Sequence, residues 1–119
     1  MNRTRITLFV GLLVCTGHLG VGLLGAMDFI RGDSNRDGVR NIADPIHTIN
    51  FLFVAGTAPH CLDSADINDD GFVDLADVVY QLSFIGILTA APISFPEPNS
   101  CGIDPSADSL DCVSYSPCP

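Results

Sequence analysis

Twelve residues, DSNRDGVRNIAD at positions 33–44, return 33 residues later as DINDDGFVDLAD at positions 66–77. Each copy carries an oxygen-bearing side chain at loop positions 1, 3, 5, 9 and 12, and a glycine at position 6. That spacing suits a short loop wrapped around Ca²⁺. The ligands it predicts are Asp33, Asn35, Asp37, Asn41 and Asp44 in the first copy, and Asp66, Asn68, Asp70, Asp74 and Asp77 in the second. Position 7 offers its backbone carbonyl, so Val39 and Phe72 complete the two sets without a polar side chain. Gly38 and Gly71 supply the sharp turn that a Cβ would obstruct. Asp, Asn and Gly also mark plain surface turns. Two copies in register, each leading into an apolar stretch, speak for two calcium ions instead.

Two features separate these loops from a full EF-hand. Position 12 is Asp rather than Glu, so the loop must draw in for both carboxylate oxygens to reach a metal. The entering helix is also absent from the pattern. Residues 27–32 are too few for one, and residues 56–65 contain Gly56 and Pro59, which oppose it. Each unit therefore reads as a loop followed by one exiting helix.

This duplicated half-hand resembles the dockerin family, through Gly32-Asp33-Ser34-Asn35-Arg36-Asp37-Gly38 and Ala65-Asp66-Ile67-Asn68-Asp69-Asp70-Gly71, each trailed by Ile/Leu-Ala-Asp. The resemblance covers roughly residues 29–87, plus a cysteine-bearing tail. It implies a mainly α fold: a small duplicated calcium loop–helix (F-hand) module with a disulfide-bearing C-terminal tail. It further implies calcium-dependent docking onto a cohesin domain, commonly in assemblies that degrade polysaccharides. Arg40 departs from the family at position 8, where an aliphatic residue usually joins the loops; Val73 keeps to it. Positions 10 and 11, recognition positions in the family, hold Ile42-Ala43 and Leu75-Ala76. Residues three and four apart share a helix face. Two similar partner-binding faces are thus expected, one with Ile42, Ala43, His47 and Asn50, the other with Leu75, Ala76, Tyr80 and Ser83.

The N-terminus points to export. Arg3 and Arg5 precede an apolar run from Ile6 to about Ala26, ending in the small pair Gly25-Ala26. Residues 1–26 read as a secretory signal peptide cut near Ala26, or as an uncleaved membrane anchor. The dockerin-like domain then occupies 27–91 and a Pro/Cys-rich tail 92–119. The product is expected in the secreted fraction or the cell envelope, touching membrane only through an uncleaved N-terminal segment.

All 14 acidic residues follow the signal, against three arginines, a formal charge of −11. Such a balance argues against nucleic acid and anionic lipid as partners. Without metal, the seven loop carboxylates would repel one another, so metal belongs to the fold. Cys61, Cys101, Cys112 and Cys118 form an even set in a short exported chain and predict two disulfides. Zinc is the competing reading, but no Cys-x-x-Cys pair is present and the histidines are scattered. Of the three pairings, chain reach leans to Cys61–Cys101 with Cys112–Cys118. A helix from Asp77 to about Leu88 spans roughly 18 Å, and an extended 89–100 segment can return about 40 Å.

Periodicity places one helix after each loop. Ile46, Ile49, Phe51, Leu52 and Phe53 give the first an apolar face, with Pro45 tolerated in its first turn. Val78, Val79, Leu82, Ile85 and Leu88 repeat that face. The helices are expected to pack antiparallel about a pseudo-twofold, with backbone bonds between loops near Asn41 and Val73. Phe51, Phe53 and Phe84 are assigned to the core, although so small an interior leaves room for one on a docking face. His47 and His60 read as surface or loop residues, since calcium does not select imidazole.

No enzyme is expected. The sequence has no nucleophile elbow, phosphate loop or His-Glu-x-x-His helix, and it is too short to build a sugar cleft around paired carboxylates. No small-molecule substrate is expected either. The leading reading is a secreted calcium-dependent docking module. The alternative is an autonomous calcium-stabilised extracellular or envelope domain without a cohesin partner. A third reading, part of a longer exported enzyme, is disfavoured by the signal at one end and Tyr115-Ser116-Pro117-Cys118-Pro119 at the other.

Overall fold

The computed structural model describes residues 26–86, 93, 96 and 99–119. The signal or anchor reading of 1–26 lies almost wholly outside the described residues. Among the described residues there are two helices, α1 at Ala43–Phe53 and α2 at Leu75–Phe84, and they pack on each other. Among the described residues there is no strand, only isolated antiparallel bridges at Phe29–Gly102 and Cys61–Cys112. The fold is small and mainly α, and neither 26–32 nor 54–65 forms an entering helix.

Each helix starts where its loop ends. Asp74 caps α2: its carboxylate accepts from Ala76 N at 2.6 Å, while Asp77 in the first turn accepts from Asp74 N at 2.8 Å. This reciprocal arrangement satisfies amide groups that a helix start leaves unpaired. In α1 the side chain of Asn41 takes over, accepting from Ala43 N at 2.7 Å. Pro45 is buried in that first turn, where its missing N–H leaves no gap. α2 stops at Phe84, short of the expected Leu88, because Gly86 adopts φ +86° and closes the end with its N–H on Ser83 O at 3.2 Å. Leu88 itself lies outside the described residues.

The core lies only in part where the helix periodicity puts it: Val78 is buried in α2, but the main cluster lies elsewhere. Phe29, Ile30, Cys61 and Tyr115 form the buried cluster, with Cys112 and Cys118 packed against it. Phe53 is 65% exposed, Ile46 and Val79 are about half exposed, and Phe51 and Phe84 are half-buried. Two helices of 11 and 10 residues cannot enclose two apolar faces alone. The tail supplies the missing cover instead.

The disulfides explain how. They pair Cys61 with Cys112 and Cys101 with Cys118, correcting the leaning to Cys61–Cys101 and Cys112–Cys118. The reason lies in the backbone. Leu62 N donates to Asp111 O at 2.9 Å and Val113 N to His60 O at 2.9 Å. These bonds set Cys61 and Cys112 opposite each other. At the other end Phe29 and Gly102 exchange both of their backbone bonds, at 2.9 and 3.1 Å.

The link between repeats also differs from expectation. No backbone bond joins the loops near Asn41 and Val73 among the described residues. Gly32 N instead donates to Ser64 O at 2.7 Å, and the buried amide of Gln81 donates to Gly32 O. Arg40, at the departing position 8, donates to Arg31 O at 3.2 Å and lays its guanidinium 4.4 Å from the Phe84 ring centroid. It thus ties loop one to α2 by hydrogen bonding and cation–π contact, where an aliphatic residue would only pack.

Candidate metal centre

The two loops repeat most of each other's bonds; Asp77 also accepts from Ile67 N at 2.8 Å, without a counterpart in loop one among the described residues. At position 1, Asp33 accepts from Asp37 N at 3.1 Å and Gly38 N at 2.8 Å. Asp66 accepts from Asp70 N at 3.2 Å and Gly71 N at 2.8 Å. At position 12, Asp44 accepts from Asn41 N at 2.7 Å and Asn35 N at 3.4 Å. Asp77 accepts from Asp74 N at 2.8 Å and Asn68 N at 3.4 Å. The position 3 amides, Asn35 and Asn68, accept from the position 5 N–H at 3.0 and 3.2 Å. Asp37 and Asp70 accept from Val39 N and Phe72 N at 2.8 and 3.0 Å. The backbone twists alike as well: Arg36 and Asp69 at position 4 have φ 63° and 60°, and Gly38 and Gly71 have φ 81° and 82°. Two left-handed residues per loop fold the amides back onto the carboxylates.

Asp33, Asp44, Asp66 and Asp77 are at most 1% exposed. Burial is the first cause of the altered acidity of Asp44, Asp66 and Asp77. It pushes Asp44 up to about 7 and Asp77 up to about 6, with Asp33 and Asp37 adding repulsion to Asp44 and Asp66 adding it to Asp77. Asp66 is raised too, by burial against the pull of its amide donors and Arg31. Buried like charges of this kind call for a cation. The donor set is oxygen throughout and already held in place by backbone amides, which fits a hard divalent ion.

The tail reaches both loops. Tyr115, 4% exposed, donates its hydroxyl to Asp33 Oδ2, and burial together with that contact raises its pKa. Arg36 donates to Ser114 Oγ at 2.8 Å in loop one, and Ser106 donates to Asp69 at 2.8 Å in loop two. A Cβ on Gly38 would meet Pro117 at 3.5 Å, and one on Gly71 would meet Asp108 at 3.2 Å.

Among the described residues two groups of acidic oxygens come together, and all but one of their members fall outside the predicted ligand sets. Asp63, Asp104 and Asp108 bring carboxylate oxygens within 4.8 Å of one another, as do Asp66, Asp69 and Asp108. Only Asp66 of these was a predicted ligand; the three predicted carboxylates of loop one are spread wider. Arg31, 1% exposed, lies beside both groups, donating to the carbonyls of Asp63 and Asp66 and pairing with Asp69 at 3.2 Å and Asp104 at 2.5 Å. Asp63 is pushed up to about 6, by burial first and then by Asp104 and Asp108. The sequence carried no spacing signal joining Asp63 to Asp104 and Asp108, since Asp63 lies 41 residues before Asp104.

The expected partner faces are only partly open. Ile42, Leu75, Ala76 and Asn50 are exposed, while Ala43, His47, Tyr80 and Ser83 are half-buried. Nδ1 of His47 is a buried atom without a hydrogen-bond partner, and burial, then His60, lowers its pKa. The exposed apolar residues repeat at the loop offset: Val39 with Phe72, Ile42 with Leu75, Ile46 with Val79. The two disulfides are compatible with an extracellular protein. Among the described residues no helix is long and apolar enough to cross a membrane. No family model, curated protein or solved structure matches this chain.

Proposed function

We propose that the chain is a secreted dockerin-like module that binds two Ca²⁺ and, so loaded, docks onto a partner protein of cohesin type, plausibly within a polysaccharide-degrading assembly. The observation that carries this reading is the repetition of the same amide-to-carboxylate bonds in both loops around four buried carboxylates. Calcium supplies the charge those carboxylates lack. The loop amides orient the oxygens, and the exiting helices are held in a fixed relation to the loops. No part of this reading involves catalysis.

The docking surface rests on the paired exposed apolar residues. Ile42 and Leu75 are 45% and 52% exposed, at equivalent places before and at the start of their helices. Two equivalent faces let one partner bind in either of two orientations. Changing both Ile42 and Leu75 to Asp introduces charge near helix N-termini, where it is tolerated. Calcium uptake should be unchanged and calcium-dependent partner capture from the secreted fraction abolished, with either single change leaving capture partly intact. A double variant that still captures its partner normally sinks this surface.

The second reading, an autonomous calcium-stabilised extracellular domain, is favoured by the tail. It is disulfide-bonded over both loops, which closes the module on itself. Failure to recover any calcium-dependent partner would make this the better account.

A further inference from the structure

A cavity of about 590 Å³ opens beside loop two, lined by Asp63, Asp104, Ser106, Asp108 and Asp111 among others. Asp63 is 6% exposed, and among the described residues nothing donates a hydrogen bond to its carboxylate. Its oxygen lies within 4.8 Å of oxygens from both Asp104 and Asp108. A buried carboxylate with no partner is costly unless something positive reaches it. Here it faces two more carboxylates, and the Arg31 guanidinium that bears on it is shared with Asp69 and Asp104.

The side chains near it cannot supply the charge. Arg31 pairs with the carboxylates of Asp69 and Asp104 and also bears on those of Asp63 and Asp66. It directs Nη2 to Asp69 and Asp104 and Nη1 to the carbonyls of Asp63 and Asp66. Arg36 is engaged with Ser114 and Arg40 with Arg31 O and Phe84. The chain contains no lysine. Ser106 adds a hydroxyl oxygen at 2.9 Å from Asp104 and 3.1 Å from Asp108. The donors are again oxygen only, which selects a hard ion over zinc or copper.

We propose that Asp63, Asp104 and Asp108 form a cation site separate from the two loops, taking a hard divalent metal such as Ca²⁺. Asp63 comes from the segment before loop two, and Asp104 and Asp108 from the tail. The ion therefore joins the tail to the repeat domain, on the same side as Cys61–Cys112. The site stands on its own residues and does not require the loops to be loaded. Asp108 also lies within reach of Asp66, so the test must separate this site from loop two.

Calcium stoichiometry of the oxidised full chain, measured by equilibrium dialysis with Ca²⁺ alone, makes that separation. Three bound ions are expected for the unaltered chain and two for Asp108→Asn, whose side chain is exposed, with circular dichroism confirming its fold. Asp63→Asn should give the same count of two, with circular dichroism confirming its fold. Two ions in both the unaltered chain and Asp108→Asn overturns this site and leaves the loop reading standing. An unchanged count with weaker loop-two binding also overturns it, assigning Asp108 to that loop. One ion, lost in Asp108→Asn, supports this site and overturns the loop reading. No ion in any form overturns both.

Discussion

The two loops have the same internal wiring and different surroundings. Positions 1, 3, 5 and 12 make matching hydrogen bonds in each. Behind loop one the packing is polar: Ser34 donates to Asp44 O at 2.8 Å, and Thr48 donates to the same carbonyl at 3.2 Å. Behind loop two the equivalent places hold Ile67, buried, and Gln81, whose amide crosses to Gly32. Position 4 is Arg36 in one loop and Asp69 in the other, yet each finds a tail serine. A metal loop constrains the residues whose oxygens and amides face the ion. It leaves the outward residues free to differ, and here they specialise in holding a tail.

The largest expected effect tests what the loops share. In excess EDTA at pH 7.5 the helical circular dichroism should largely collapse, because the buried carboxylates then carry uncompensated charge. The pH dependence follows from the raised acidities. Asp44 and Asp77 hold protons in the metal-free fold up to about 7 and about 6. The unfolded chain releases them near 4. The fold thus binds more protons than the unfolded chain between those values, and metal-free stability falls as pH rises through that window. Lowering the pH to 5 in EDTA should restore helix. A metal-free chain more stable at pH 7.5 than at pH 5 contradicts the account.

The next effect concerns the tail that both loops share. Cys61–Cys112 closes 51 residues and Cys101–Cys118 closes 17. Chain entropy alone puts their loss at about 4 and about 3 kcal/mol respectively. Cys61 is also in the buried cluster. Urea unfolding at saturating calcium should show the Cys61→Ser/Cys112→Ser pair less stable than the Cys101→Ser/Cys118→Ser pair. The reverse order would mean that closing the tail on itself matters more than joining it to the repeats.

These contrasts also mark what was legible beforehand. The turns at Gly38 and Gly71 and the helix after each loop follow from local chemistry: a residue type tied to a backbone angle, an apolar period, a cap. The core does not. Phe29 and Tyr115 lie in short aperiodic segments, 86 residues apart in sequence, and meet only because the tail folds back. Four cysteines allow three pairings, and chain reach favoured the wrong one because it ignored the bridge that sets Cys61 against Cys112. Asp63, Asp104 and Asp108 were passed over for the same reason: no local period connects them.

A smaller effect should separate the loops by affinity. Loop two offers the carboxylates Asp66, Asp70, Asp74 and Asp77; loop one offers only Asp33, Asp37 and Asp44, and Asp33 already accepts the Tyr115 hydroxyl. More ligand charge favours tighter calcium binding. Calorimetry should lose its tighter phase in Asp66→Ala and its weaker phase in Asp33→Ala. The opposite assignment would show that the surroundings, Tyr115 and Arg40 among them, outrank ligand charge.

The smallest effect isolates one of those surroundings. Tyr115 and Asp33 are both buried, at 4% and 0% exposure, and the hydroxyl of one donates to the carboxylate of the other. Among the described residues no tail hydroxyl reaches Asp66 in the same way, and Arg31 donates to its carbonyl. Tyr115→Phe keeps the ring in the cluster with Phe29, Ile30 and Cys61 and removes the donor alone. A hydrogen bond to a charged group contributes about 2 kcal/mol, so unfolding in urea with calcium present should shift by about that amount. Asp33 would keep its amide donors at Asp37 and Gly38 but lose the hydroxyl that shares Oδ2 with Gly38 N. The weaker calcium phase should therefore change while the tighter one stays. Equal changes in both phases would mean that Tyr115 acts through the whole core rather than through Asp33, and the asymmetry between the loops would then lie in ligand charge alone.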